Sequence, residues 1–230
     1  MSISVVIPML ETRPGLVERA VASAAAPGVE VLVVDGGSGR AAVEAAARAG
    51  ARVLESPPGR ARQMNAGAAA AGGDVLLFLH ADTRLPPGYP DQVRRVLAAP
   101  GVAAGAFPLR IDGGRRGYRL IERLVDWRSR RLETPYGDQA LFLRREVFAA
   151  AGGFPDLPIM EDYEMVRRLR RMGRIGLADD PVVTSARRWE RLGLWRTTLW
   201  NRALVLAYRA GVAPERLARL YGTAGRTDGA

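Results

Sequence analysis

Four short apolar runs, Ser4 to Ile7, Val29 to Val34, Ala51 to Leu54 and Val75 to Leu79, alternate with alanine-rich segments in the first eighty or so residues. The runs are continuous and rich in valine or leucine. A strand wetted on one face alternates apolar with polar residues, so these runs predict strands covered on both faces, as in a parallel sheet. Between them Pro14 to Ala25, Arg40 to Ala49 and Arg60 to Ala71 predict helices, the first with proline near its start. Strand-helix repetition of this kind requires right-handed crossovers. It predicts an α/β fold with an open, mostly parallel twisted sheet flanked by helices.

Sheets of this type bind ligands just beyond the carboxyl ends of their strands. Those ends are Pro8 to Thr12, then Asp35-Gly36-Gly37-Ser38, then His80-Ala81-Asp82. An acidic residue (Glu11, Asp35, Asp82) recurs at each, which a hydrophobic sheet has no structural need of. Asp82 can hold a divalent cation there, or bond its own backbone in a turn. His80, the chain's single histidine, shares the face of Asp82 if the strand stays extended. It can ligate, touch a diphosphate, or sit at a core edge. Asp35 can accept bonds from a ribose or base while Gly36 and Gly37 let a ligand approach the backbone, and the same residues also make a turn before a helix.

Further along, "PPGRARQMNAG" puts Arg60 and Arg62 at a helix start. There free N–H groups and guanidinium forks attract phosphate, although a solvated basic turn explains them equally. Glu161 and Asp162 open another helix that ends in arginines. The helix dipole prefers that order on its own, and one of the carboxylates can also serve as a general base.

The second half is less regular. Val102 to Leu109 predicts one strand, Arg115 to Arg131 a basic helix, and the stretch up to Pro158 is dense in turn signals. A strand at Val182 to Thr184 and helices at Trp195 to Ala210 and Pro214 to Tyr221 complete the chain. No repeat or long linker appears. The expected organisation is one domain over residues 1–185, with a helical, arginine- and tryptophan-rich extension over 186–230 packed on it.

The 230 residues suffice for a sizeable core, and the absence of cysteine leaves only oxygen ligands and one imidazole for any metal. The net charge of +10 comes entirely from arginine, since lysine is absent. It favours anionic partners such as phosphorylated metabolites or an acidic membrane surface. Trp189, Trp195 and Trp200 interleave with arginines. This segment can clamp phosphate, stack on a base, lie on an anionic membrane, or be a core helix with a wet arginine face. No nucleic-acid-binding module is recognisable. With no basic leader ahead of Glu11 and no apolar run of roughly 18 residues, the expectation is a cytoplasmic protein. Peripheral contact at the inner face of the membrane, and a homodimer, stay open.

Taken in order, these residues resemble glycosyltransferase family 2, the inverting enzymes with the GT-A (Rossmann-like) fold. "ISVVIPMLE" is similar to the family's opening, and Val34 to Ser38 to its "VDDGS", with Gly36 in place of the second aspartate. Asn65, Gly67, Ala71, Gly73, Asp74 and the stretch to Asp82 follow the family's next block. Gly152-Gly153-Phe154, Glu161-Asp162, Arg168 and Gly173 follow the last. "GRARQMNAG", "LLFLHADTRLP" and "GDQALFLRR" further resemble the small bacterial radical-SAM/selenodomain-associated transferase subgroup.

The resemblance implies a nucleotide-sugar donor, a UDP-sugar first, with Pro8, Glu11, Asp35, Arg60, Arg62, Asn65 and Asp82 around it. It implies a small or lipid-linked hydroxyl acceptor, with Gly137, Asp138, Gln139 and Glu161 near donor sugar and acceptor. Asp162 would be the base, and Asp82 with His80 would hold Mg²⁺ or Mn²⁺ on the diphosphate. His80 replaces the first aspartate of the family's D-x-D, Met64 stands where arginine usually precedes Asn65, with Arg60 or Arg62 able to substitute, and the tail offers no histidine. The alternatives are a nucleotidyltransferase on a similar sheet, although the usual lysine-bearing glycine-rich loop is absent, and a degenerate fold that binds anions or membrane.

Overall fold

The computed structural model describes residues 1–224. Its main sheet has seven strands in the order β3-β2-β1-β4-β8-β6-β9. These are β1 (Ile3–Met9), β2 (Val29–Asp35), β3 (Arg52–Glu55), β4 (Val75–Phe78), β6 (Val102–Ala106), β8 (Phe142–Arg144) and β9 (Arg174–Leu177). β1 lies parallel between β2 and β4, and β2 runs parallel to β3. Three of the four expected apolar runs thus lie side by side within the sheet, and burial on two faces explains why they read as continuous. Ile3, Val5, Ile7 and Met9 of β1 point into one core with Val31 and Val33 of β2 and Val75 and Leu77 of β4. The intervening Val6, Leu32, Val34, Leu76 and Phe78 point into the other.

Helices α1 (Pro14–Ala24), α2 (Arg40–Arg48) and α4 (Tyr89–Ala98) cover the first face. The second is covered by α3 (Arg60–Ala70), α6 (Arg145–Ala150) and α7 (Glu161–Met172). The small side chains of α3 let it lie close to the sheet. A Cβ on Gly67 would stand 2.3 Å from a Val6 methyl and 2.9 Å from one of Val34. Arg145 holds the far end of α3 through the carbonyls of Ala68, Ala71 and Gly73.

Two expectations are corrected. Val102 to Leu109 is not one strand: β6 ends at Ala106 and β7 (Leu109–Asp112) belongs to a second sheet, β5-β10-β7. The break falls at Phe107-Pro108, where proline has no N–H to continue a ladder. The turn-rich stretch before Pro158 also contains β8, which runs antiparallel between β4 and β6. Three residues are too few to register as a pattern.

The second sheet fixes the site. β5 (Thr83–Arg84) continues directly from the His80-Ala81-Asp82 segment and pairs with β10 (Val182–Ser185). Ser185 donates its N–H to the Asp82 carbonyl at 3.1 Å, and the buried Thr83 and Thr184 hydroxyls bond at 3.0 Å. Helix α5 (Arg116–Leu132) lies on β7, and α8 (Arg187–Leu192), α9 (Leu194–Arg209) and α10 (Pro214–Ala224) follow β10. Trp189 packs on Ile111, Tyr118 and Ile121, whereas Leu204 and Leu217 close over Ile159 and Met160.

Gly67→Ala is expected to destabilise the fold by about 1–3 kcal/mol through overpacking against β1 and β2. Urea unfolding measures this, and an unchanged midpoint would contradict so close a helix-sheet contact.

Candidate active site

Where β1 and β4 end, a cleft of about 300 Å³ opens. Its walls include Pro8 and Glu11 after β1, Arg60 at the start of α3, His80 and Asp82 after β4, and Arg187 at the start of α8. Glu11 is exposed and has φ 49, a left-handed conformation unusual for a residue with a side chain. Asp82 faces Arg187 at 3.4 Å. Asp35 pairs with Met9 in the β1–β2 register, beside this cleft and outside its wall. Its carboxylate accepts the N–H groups of Gly37 at 3.2 Å and Ser38 at 3.0 Å, so it organises its own loop. Gly36 is explained by Gln63. The buried Gln63 amide donates to the carbonyls of Met9 and Val34, and a Cβ on Gly36 would lie 2.9 Å from its nitrogen.

Arg60 and His80 form a partition. Both also line a second cavity, of about 110 Å³, with Tyr136, Asp138, Asp162, Tyr163 and Asn201. Asp162 is the second residue of α7, and its side chain is set by two backbone donors. Oδ2 accepts from Gly137 at 2.8 Å and Oδ1 from Tyr163 at 2.7 Å. A Cβ on Gly137 would stand 2.9 Å from Asp162 Oδ2 and 3.2 Å from His80 Nε2, so a side chain there would fall between the two groups.

Charge is concentrated on this partition. Arg60 forms an ion pair with Glu161, whose side chain is 1% exposed, while the Arg60 side chain as a whole is 42% exposed. Desolvation opposes the Arg60 charge, but Glu161 and Asp162 outweigh it and push the guanidinium pKa up. His80 is held below the usual imidazole range, first by desolvation and then by Arg60, against the pull of Asp82, Asp138 and Asp162. It is therefore neutral near pH 7. Tyr136, which lines the second cavity, has Arg128 3.6 Å over its ring.

The other expected residues lie elsewhere. Arg62 points to the surface and pairs with Asp156 at 2.9 Å. Asn65 clamps Phe154, donating to its carbonyl at 2.8 Å and accepting its N–H at 2.9 Å. Gln139 is fully buried. It accepts from Arg128 and Ser129 at 2.9 Å and donates to the Phe107 carbonyl at 2.9 Å, which secures the turn carrying Gly137 and Asp138. The clefts also recruit Gln63, Tyr136, Tyr163, Arg187 and Asn201. Sequence reading passed over these, and only the proximity of Gln63 to Arg60 and Arg62 offered a signal.

The protein's own side chains offer a cation few ligands. Among the described residues no three His, Cys, Asp or Glu side chains are grouped to hold a metal. Asp82 faces the first cleft, and the Nε2 of His80 lies on the Asp162 side of the partition. A cation at Asp82 fits only if a bound ligand supplies most of its oxygens.

The family model described as "Glycosyl transferase family 2" matches residues 4–154. No curated protein matches the sequence significantly. Among solved structures the fold resembles the mannosyltransferase PcManGT from Pyrobaculum calidifontis, in complex with GDP-Man and Mn²⁺. The TM-score is 0.63 at 20% identity, covering 98% of this chain and 70% of that one. It also resembles glucosyl-3-phosphoglycerate synthase from Mycobacterium tuberculosis with Mn²⁺, UDP-glucose and phosphoglyceric acid. There the TM-score is 0.63 at 23% identity, covering 92% and 80%. TarS of S. aureus in complex with UDP-GlcNAc gives 0.59 at 16% identity, covering 80% and 58%. These likenesses establish the GT-A architecture, a mixed sheet with helices on both faces and further helices at the C-terminal end. With a family match over more than half its length, the chain belongs to glycosyl transferase family 2 and is a glycosyltransferase.

Proposed function

We propose that the chain moves a hexosyl group, with inversion, from a nucleoside-diphosphate donor to a hydroxyl acceptor, a UDP-sugar being the first donor to test. The observation that carries this reading is a pair of adjoining cavities sharing Arg60 and His80, with guanidinium groups facing one and the Asp162 carboxylate facing the other. The larger cleft takes the donor. Pro8, Glu11 and the Asp35 loop lie towards its nucleoside, and Arg60 and Arg187 lie towards the diphosphate, where guanidinium forks match phosphate oxygens. The smaller cavity takes the acceptor, with Gly137, Asp138 and Glu161 forming or supporting its wall.

The acceptor oxygen bonds to the anomeric carbon as its proton passes to Asp162, which the N–H groups of Gly137 and Tyr163 orient. The bond from that carbon to the diphosphate breaks on the opposite side, and the electron pair leaves with the diphosphate. Arg60 and Arg187 stabilise the charge that develops there. Asp82, with His80 nearby, would hold a Mg²⁺ or Mn²⁺ together with diphosphate oxygens, and such an ion supplies further neutralisation of the leaving group. The complexes of the similar structures with UDP- or GDP-sugars and Mn²⁺ support the choice of donor and ion. The finer likeness to the radical-SAM/selenodomain-associated transferases rests on the sequence motifs alone.

Thermal shift against nucleotide-sugars, with and without Mn²⁺, tests the donor. Donor-specific stabilisation is expected, and preference for a nucleoside triphosphate would favour a nucleotidyltransferase instead. Asp162→Asn is expected to lower kcat by about 10²–10⁴-fold with donor affinity nearly unchanged, and turnover equal to the parent would refute the base. Asp82→Ala should weaken Mn²⁺-dependent nucleotide binding in calorimetry. Arg60→Ala should weaken nucleotide binding and strand the buried Glu161 carboxylate. The stability cost is at the low end of about 1–3 kcal/mol, because water reaches part of the site. Arg62→Ala, on the exposed pair with Asp156, should change neither binding nor stability. Parity of the two arginine variants would contradict the assignment.

A further inference from the structure

Helices α5 and α9 leave an unusual face uncovered. On α5, Arg116, Leu120, Arg123, Leu124, Trp127 and Arg130 are all exposed. They recur every three or four residues and so form one stripe. The opposite side of the helix, with Tyr118, Ile121 and Ser129, is buried. On α9 the exposed stripe is Trp195, Leu199, Arg202, Leu206 and Arg209, opposite the buried Thr197 and Leu204. Trp127 is 57% exposed, Leu199 62% and Leu206 63%. A helix that turns large apolar side chains to water over three or four turns carries a patch that marks an interaction site.

The two helices that carry the stripes pack together. α5 and α9 are in contact, and absence of a side chain at Gly117 permits the closest approach: a Cβ there would lie 2.2 Å from a Leu194 methyl. A narrow cavity of about 60 Å³ runs between the helices and is lined by Leu124 from one stripe and Arg202 from the other. Deeper in, this cavity reaches Tyr136, Asp138 and Asn201, which also line the cavity of Asp162. The cavity beside the uncovered face therefore shares a wall with the cavity that holds the carboxylate.

The chemistry of the stripes names the occupant. The α5 stripe carries Arg116, Arg123 and Arg130 and the α9 stripe Arg202 and Arg209, and neither stripe includes an acid. Leucine and tryptophan interleaved with cations on one helical face suit the boundary between anionic headgroups and acyl chains. No helix among the described residues is long and apolar enough to cross a membrane, so contact through this face would be peripheral. We propose that α5 and α9 form a docking surface for an anionic lipid bilayer, with the cavity between them turned to the lipid. The docking itself stands on the helices alone. Its bearing on the acceptor, which would then be a hydroxyl carried on a lipid, rests on the function proposed above.

Flotation of the full chain with vesicles tests the docking without donor or turnover, so failure here leaves the transferase reading intact and an inactive enzyme leaves the docking intact. Binding to phosphatidylglycerol-rich vesicles is expected, with little to phosphatidylcholine alone and a decline as salt rises. Combined Trp127→Ser, Leu199→Ser and Leu206→Ser should reduce binding roughly tenfold or more, and circular dichroism should show an unchanged fold because all three side chains are exposed. Arg123→Glu with Arg209→Glu provides a second set with the apolar residues kept, and should also reduce binding. Absence of flotation, equal binding to neutral vesicles, or full binding by both variant sets would overturn the proposal. So would a dimer in sedimentation velocity that the serine substitutions dissociate, since a second copy would then own the face.

Discussion

The ion pair between Arg60 and Glu161 is the contact on which the site depends. It joins the first residue of α3 to the first residue of α7 across the sheet's carboxyl edge. A carboxylate as enclosed as Glu161 requires a cation at hand, because a buried unpaired charge is costly. Meeting that need fixes where α7 begins, and Asp162 follows as the next residue. The same guanidinium is left partly open to both cavities. One side chain thus sets the position of the carboxylate and presents positive charge beside it, and its field contributes to keeping His80 neutral.

Much of the fold was legible because burial on two faces leaves a direct trace in sequence. The runs at Ile3–Met9, Val29–Asp35 and Val75–Phe78 had to be continuous, since successive residues enter different cores. β8 left no such trace. Its three residues join the sheet through long-range pairing with β4 and β6, and nothing local requires it. The site was legible to the extent that its residues follow strands: Glu11, His80 and Asp82 were read at strand ends and line the larger cleft. Arg62 was read with Arg60 at a helix start, and Asn65 entered through the family resemblance. A helix turns successive residues through about 100°, and their side chains go to Asp156 and Phe154 instead. Arg187 and Asn201 come from the distant tail, where only the tertiary fold brings them near.

Backbone strain gathers where the chemistry would occur. Among the described residues four non-glycine positions have positive φ: Glu11, Glu133, Ala140 and Met160. Glu11 lines the larger cleft, Met160 lines the smaller one and immediately precedes α7, and Ala140 follows the turn held by Gln139. Such conformations persist only where surrounding contacts enforce them. The hydrogen bonds of Gln139 and the pairing of Glu161 supply that enforcement on two sides of Asp162.

The cations facing the larger cleft are guanidinium groups, in a chain without lysine. Guanidinium does not release its proton in proteins. The positive charge these groups contribute at that opening therefore stays constant across the whole range of pH a cell encounters. Acylation aimed at amines, a common means of silencing basic proteins, finds no side-chain target anywhere in this one.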